Sequence, residues 1–235
     1  MRDFFLNNVN KKLANREIPR VDLHMHTTWT DGDNTLDEMH KVAIEKKIEH
    51  IFFSEHSRKA SGDWFQKFVK ETKKLDQSQC KAYAGTEVKI LDLNGNLDLS
   101  NEIEASSEFI MASVHRFPGE KGNIFENKNN FDPNDAVKIE YELTLAAIEN
   151  PKTTIIGHPF GMSLKRFNIS PSQKLFIDII EKCKKFEKVF EVNSNYHNNI
   201  NYLVEECLKK DTLISLGSNA HNIKDVGKIL QILDK

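Results

Sequence analysis

Histidine is the residue type that points to chemistry in this sequence. Nine occur in 235 residues, and six of them (His24, His26, His56, His115, His158 and His221) fall at or just past the end of a short apolar run. Ligand-type residues share those positions: Asp31, Glu55, Glu87, Glu191 and Asn219. His24 and His26 have period-two spacing, so on a strand both imidazoles point to the same side. A single buried His is ordinarily a hydrogen-bonded core residue. Two on one strand face, followed by Asp31-Gly32, reverse that expectation. Neutral imidazoles crowded against carboxylates leave polar groups poorly compensated unless a cation joins them. Imidazole suits Zn, Fe and Mn ions, and carboxylates bridge them or add charge. His24, His26, Asp31, His56, Glu87, His115, His158 and His221, with Asn219, are therefore the metal-ligand candidates, enough for two or three divalent ions.

The remaining histidines divide. His40 lies within a helical pattern and His50 at the entry of a strand, so core or surface roles are expected for both. His197, two residues past Asn195, sits where it could touch substrate. Glu191 and Asn193 are placed either for the pocket or for orienting the ligands themselves. Arg116 directly follows His115, and Arg58 follows His56 by two; either could grip a phosphate as a bidentate fork. Arg116, Arg58, Asn193 and His197 are the substrate-binding candidates.

Positioning such a set requires strand ends that converge. Apolar runs at 19–26, 50–56, 82–88, 108–115, 153–159, 189–195 and 213–221 are rich in β-branched and aromatic residues with nearby Gly or Pro, which favours strands. Amphipathic stretches at 33–47, 135–149, 171–186 and 199–210 read as helices. Ser170-Pro171 is a suitable helix start, and Leu36, Met39, Val42, Ala43 and Ile44 supply an inward stripe. Strand–helix alternation predicts a parallel sheet with helices outside. Seven strands give about 34 residues each, near the roughly 30 of a βα unit. A seven-stranded α/β barrel fits best, with an open doubly wound sheet as its competitor. No GxGxxG or GxxxxGK[ST] pattern supports the open sheet. In a barrel the C-terminal strand ends share one face, so residues 30 to 40 apart would meet around one pocket. The polar stretch 116–133 is long for a connector and reads as a binding loop or lid.

Composition narrows the partners. Lys and Arg number 33 against 35 Asp and Glu, a net charge of -2, which excludes a generally basic nucleic-acid-binding surface. No basic stripe with interleaved aromatics is evident, so a small substrate is preferred over nucleic acid. Cys80, Cys183 and Cys207 are odd in number and far apart, which suits buried thiols in a reducing compartment. No export or membrane-spanning run is visible, so a cytoplasmic protein is expected.

The segments HMHTTWTDG, SEH, GTE, SVHR, GHP and SNAH, in this order from Val21 to about Leu230, resemble the motif series of the PHP (polymerase and histidinol phosphatase) family. The resemblance implies a distorted (β/α)7 TIM-like barrel as a single domain over 1–235, with residues 1–18 as a helical extension. It also implies a trinuclear metal site and phosphoesterase activity on a small phosphorylated metabolite or nucleotide. By position, His24 and His26 would hold one ion, with Glu87 bridging to a second completed by His115 and His158. Asp31, His56 and His221 would bind the third. Glu87, His221 and Arg116 are then the catalytic candidates. Two positions depart from the family pattern. Asn219 replaces the usual Asp of the last motif, and a neutral amide should hold the His24/His26 ion less firmly. Glu55 replaces the usual Asp of the second, which keeps the charge. An amidohydrolase-type barrel is one rival, disfavoured because the acid sits on the third strand and the fourth ends in Ser113-Val114-His115. A non-catalytic metal- or ligand-binding module is the other, because of Asn219.

Overall fold

Each of the seven apolar runs forms a strand. The structure, a computed structural model, describes residues 1–120 and 132–234. The strands are β1 (Val21–Met25), β2 (His50–Ser57), β3 (Lys81–Lys89), β4 (Ile110–Ser113), β5 (Ile155–Ile156), β6 (Val189–Asn193) and β7 (Leu213–Gly217). They pair in parallel and in chain order. The helices are α1 (Arg2–Phe5), α2 (Lys11–Ala14), α3 (Leu36–Glu45), α4 (Gly62–Thr72), α5 (Asn101–Ser106), α6 (Pro133–Glu149), α7 (Gly161–Arg166), α8 (Gln173–Lys185), α9 (Ile200–Lys209) and α10 (Lys228–Leu233). The result is a distorted (β/α)7 barrel.

Closure between β1 and β7 is partial. Only the Met25–Ala220 bridge pairs the two backbones, with the His26 N–H donating to Ala220 O at 2.9 Å. Asp22, buried beside it, completes the seam through its side chain. Its carboxylate accepts from Ser218 N (2.9 Å), Ser218 Oγ (2.6 Å) and Gly227 N (2.7 Å). A strand-borne carboxylate thus stands in for ladder hydrogen bonds that the stagger of β1 against β7 does not make.

The N-terminal segment covers the end of the barrel opposite the strand C-termini. α1 and α2 are joined by a π-helical turn, Leu6–Asn10, and Phe5 and Val9 are wholly buried. Asn10 donates to Thr212 O at 2.8 Å and accepts from Ile214 N at 3.0 Å, satisfying the backbone where β7 begins. Phe4 packs on His50 and Tyr83 with ring centroids 5.1 and 5.3 Å apart, so His50 serves the core as expected. His40 likewise donates to Cys80 O at 2.8 Å.

Local sequence accounts for most helix placements. In α3, Thr35 and Glu38 form a reciprocal capping box, and Leu36, Met39 and Ala43 are buried, with Val42 and Ile44 at the edges of that face. α8 is a correction: it begins at Gln173, with Ser172 rather than Ser170 at the cap position, because Pro171 lies in the approach and not in the first turn. α4 lies outside the four amphipathic stretches read from sequence, yet Phe65, Phe68 and Val69 recur at helical spacing and pack its inner face. Of the loop expected at 116–133, residues 121–131 lie outside the described residues.

Candidate metal centre

Glu87, at the C-terminal end of β3, is the hub on which the strand-end histidines converge. Its carboxylate is 1% exposed and is approached by five imidazoles. His158 Nε2 and His115 Nε2 lie 2.8 and 3.1 Å from Oε1. His56 Nδ1 lies 3.2 Å from Oε2, and the Nε2 atoms of His24 and His26 each lie 3.5 Å from it. His24 Nε2 and His26 Nε2 are 3.0 Å apart, as the period-two spacing requires. Asp31, in the loop after β1, gathers a second group: its Oδ2 is 3.4 Å from His56 Nε2 and 3.5 Å from His221 Nε2.

These donors fit divalent ions. Among the described residues, three sets have ligand atoms within 4.8 Å of one another: His26, Asp31, His56 and His221; His24, His26 and Glu87; and His56, Glu87 and His115. His26 Nδ1 is buried without a hydrogen bond among the described residues, and so is Asn219 Oδ1. Five ring nitrogens aimed at one carboxylate exceed what it can accept, whereas cations between them would satisfy nitrogen lone pairs and carboxylate together. His56 pairs with both Asp31 and Glu87, while His158 pairs with Glu87 and stacks against His24 with ring centroids 5.7 Å apart.

Electrostatics follow from this crowding. Burial alone would raise Glu87, but His115 and His24 hold it well below the usual carboxylate range. Burial also opposes a charge on His24, yet Glu191 and Glu87 outweigh it and push His24 up to about 10. Burial, with His56 and His24 nearby, holds His26 well below the usual imidazole range.

Behind the hub stands a supporting layer. Glu191, wholly buried on β6, takes His24 Nδ1 at 2.7 Å, Asn193 Nδ2 at 2.9 Å and the His158 N–H at 2.6 Å. The first contact fixes the proton of His24 on Nδ1 and offers Nε2 to the centre. The third holds His158 at φ 25°, a left-handed backbone that needs such support. Gly217 makes room for the pair, since a Cβ there would lie 2.3 Å from Glu191 Oε1 and 2.6 Å from His24 Cβ. Glu55 is not at the centre. It accepts from Thr27 N (2.9 Å), Thr27 Oγ1 (2.6 Å) and Thr30 Oγ1, and so braces the loop carrying Asp31.

Asn193 and His197, expected as substrate-binding residues, are both buried. Asn193 is wholly buried, donating to Glu191 and accepting from Asn195 N. His197 Nδ1 accepts from Asn193 N at 3.1 Å and its Nε2 donates to Pro159 O at 3.0 Å, and burial holds it down to about 4. Both residues side with the barrel wall and do not line the cavity. Arg58 and Arg116 do line it, together with Lys89 and Lys165, in a space of about 1200 Å³ above the hub. Tyr196 also enters, stacked on His158 with centroids 4.2 Å apart.

Glu140 was not legible as a site residue, because it projects from α6 with no strand-end position to mark it. It is 1% exposed and accepts from Met162 N (3.0 Å), Ser163 N (2.7 Å) and Ser163 Oγ (2.6 Å), holding the first turn of α7 beside His158. Burial pushes it up to about 7 from an ordinary 4.5. The folded state therefore binds this proton more tightly than the unfolded state. Its contribution to stability is fully present below the unfolded value and is lost as pH rises through the folded one. Glu140→Gln should remove a downward slope of about 3 kcal/mol between pH 4.5 and pH 8. Denaturant unfolding of both proteins across that range, at matched metal content, reads the slope. Parallel curves would contradict it.

Similarity to known proteins bears on the same residues. The PHP domain matches residues 22–195. The DNA polymerase/3′-5′ exonuclease PolX of Bacillus subtilis is 26% identical over 183 residues, covering 74% of this chain and 29% of that protein. A probable phosphatase of Thermoanaerobacter sp. strain X514 is 26% identical over 178 residues, covering 74% of this chain and 64% of that protein. The chain thus spans 29% and 64% of the length of these two relatives. Among solved structures, the protein assigned as histidinol phosphatase HisK of Listeria monocytogenes superposes with a TM-score of 0.71 at 18% identity, over 88% of this chain and 97% of that one. Histidinol phosphate phosphatase of Lactococcus lactis, solved with zinc, L-histidinol and phosphate, gives 0.61 at 15% identity over 91% and 93%. These two share the fold. With the matched stretch covering most of the barrel and five of the six strand-end histidines, the chain belongs to the PHP domain family.

Proposed function

We propose that this chain is a metal-dependent phosphoesterase that hydrolyses a small phosphorylated molecule. The observation carrying this reading is the pairing of a buried imidazole–carboxylate hub with a cationic rim. Glu87 and its five histidines form the floor, and Arg58, Lys89, Arg116 and Lys165 line the cavity above it. A phosphoryl group needs this combination, with positive charge on its oxygens and an activated water at phosphorus. The relatives named as phosphatases point the same way.

His24, His26 and Glu87 would hold one divalent ion, Glu87, His115 and His158 a second, and Asp31, His56 and His221 a third. When bound, such ions lower the pKa of a coordinated water and polarise phosphoryl oxygens. The protein supplies the rest. Glu191 presents the correct nitrogen of His24, and Glu55 fixes the Asp31 loop. Arg116 and Arg58 orient the phosphoryl group for attack opposite the leaving oxygen. Water and phosphoester are consumed, and alcohol and inorganic phosphate are released.

Protein reconstituted with Mn or Zn should release phosphate from a panel of phosphomonoesters. Chelator should abolish that release and added metal restore it. Elemental analysis of protein purified without chelator should find at least two equivalents of divalent ion. No turnover of any ester by fully metallated protein would sink the catalytic reading and leave a binding module.

A further inference from the structure

One wall of the cavity is apolar in a way that phosphate chemistry does not explain. The chain contains two tryptophans, Trp29 and Trp64, and both line this cavity. Their rings stack on one another with centroids 6.2 Å apart and planes inclined by 23°. Buried Phe68 backs both, at 6.1 Å from Trp29 and 6.4 Å from Trp64. Each indole is half-buried: Phe68 backs the pair, Phe65 packs edge-on against Trp64 with centroids 5.6 Å apart, and both indoles border a space otherwise rimmed by charge. Trp29 lies two residues before Asp31 in the loop after β1. Trp64 lies in the first turn of α4, which follows β2 and its His56 and Arg58. The indole pair therefore flanks the metal-ligand candidates on the β1–β2 side. A group attached to a phosphate seated at the hub would extend over it.

We infer that Trp29 and Trp64 form a stacking platform for the leaving group, and that the substrate is a phosphomonoester carrying a flat aromatic or heteroaromatic ring, such as a nucleoside monophosphate. This rests on the phosphoesterase reading and specifies its substrate. A large aromatic surface left facing water beside charged groups gains most from a ligand that is flat and polarisable at one end and anionic at the other. Stacking of a base on an aromatic side chain tolerates different rings, because each presents a π-face. Lys89 and Arg58, on the same cavity, suit the anionic end.

The test compares adenosine 5′-monophosphate with ribose 5-phosphate on the metal-reconstituted full chain. Both release phosphate from the same kind of primary alcohol, so chemistry is constant and only the ring differs. The platform predicts kcat/KM at least about tenfold higher for the nucleotide. Trp64→Leu and Trp29→Leu should bring that ratio toward one, and Trp64→Phe, which keeps a ring and the packing on Phe68, should retain part of it. Since no other tryptophan is present, indole emission reports the site directly. The nucleotide should quench it saturably, and ribose 5-phosphate should not. Equal kcat/KM for both esters with no quenching overturns the platform while the hydrolase stands. Quenching by the nucleotide without phosphate release from either ester sinks the hydrolase and keeps the platform. Faster cleavage of a single-stranded oligodeoxynucleotide than of the mononucleotide overturns the assignment to a small ester.

Discussion

Glu87→Gln should lower metal-dependent phosphate release by about a thousandfold or more, equivalent to roughly 4 kcal/mol of transition-state stabilisation, and should strip the protein of bound ions. Among the described ion pairs, Glu87 alone joins all five of His24, His26, His56, His115 and His158. Gln keeps the volume but removes the charge, and its amide NH2 would turn a donor toward ring nitrogens on at least one side. His115 and His158, which share Oε1, or His24, His26 and His56, which share Oε2, would then lose their acceptor. The remaining carboxylate among the metal-ligand candidates, Asp31, touches His56 and His221 but sits half-exposed at the edge, so it cannot replace a central bridge. Elemental analysis, phosphate release and circular dichroism together separate loss of ions from loss of fold. A folded variant that retains two equivalents of metal and activity within tenfold of wild type would refute the bridging role.

How far this site could be read from sequence depends on which geometry placed each residue. His24, His26, His56, His115, His158 and Glu87 sit at strand ends, where period-two spacing and the barrel's repeat bring residues distant in sequence to one face. Asn193 and His197 carry the same signal but do not line the cavity. A position at the end of β6 does not reveal that Asn193 turns to Glu191 or that His197 folds back on Pro159 O. Glu55 and Glu140 reach their partners from behind, one bracing a loop and the other a short helix across the barrel's outer layer. Neither spacing encodes such contacts, because each depends on how α6, α7 and the β1 loop pack in space. The tryptophan pair is a similar case, being 35 residues apart, one in the loop after β1 and the other in the first turn of α4, and brought together by the adjacency of β1 and β2. The seam at Asp22 was also invisible, since its donors lie in Ser218 and Gly227 at the far end of the chain.

Asn219→Asp should tighten metal binding by about tenfold or more, since carboxylate count is a principal lever on the affinity of such sites. The backbone will accept it, for Asn219 has φ 54°, a left-handed conformation that Asp tolerates nearly as well as Asn. The side chain is 8% exposed, and its Oδ1 has no hydrogen-bond partner among the described residues. In the wild type that orphaned oxygen costs about 1–3 kcal/mol of desolvation, less than a buried charge would cost. A carboxylate in its place is a buried negative charge, already close in sequence to His221 and across the seam from His26. Without a cation that charge is penalised, so the chelated variant should melt below the chelated wild type. With saturating metal the order should reverse, because each tenfold gain in affinity adds about 1.4 kcal/mol to the folded state. Thermal melts of both proteins, with chelator and with Mn or Zn, read this crossover, and chelator competition gives the affinity ratio. If the variant is less stable under both conditions and binds no tighter, residue 219 does not face an ion. The departure from Asp would then carry no consequence for occupancy. If the crossover appears, the wild-type amide is what keeps the His24/His26 ion exchangeable, and activity should rise in the variant at limiting metal while converging with wild type at saturation.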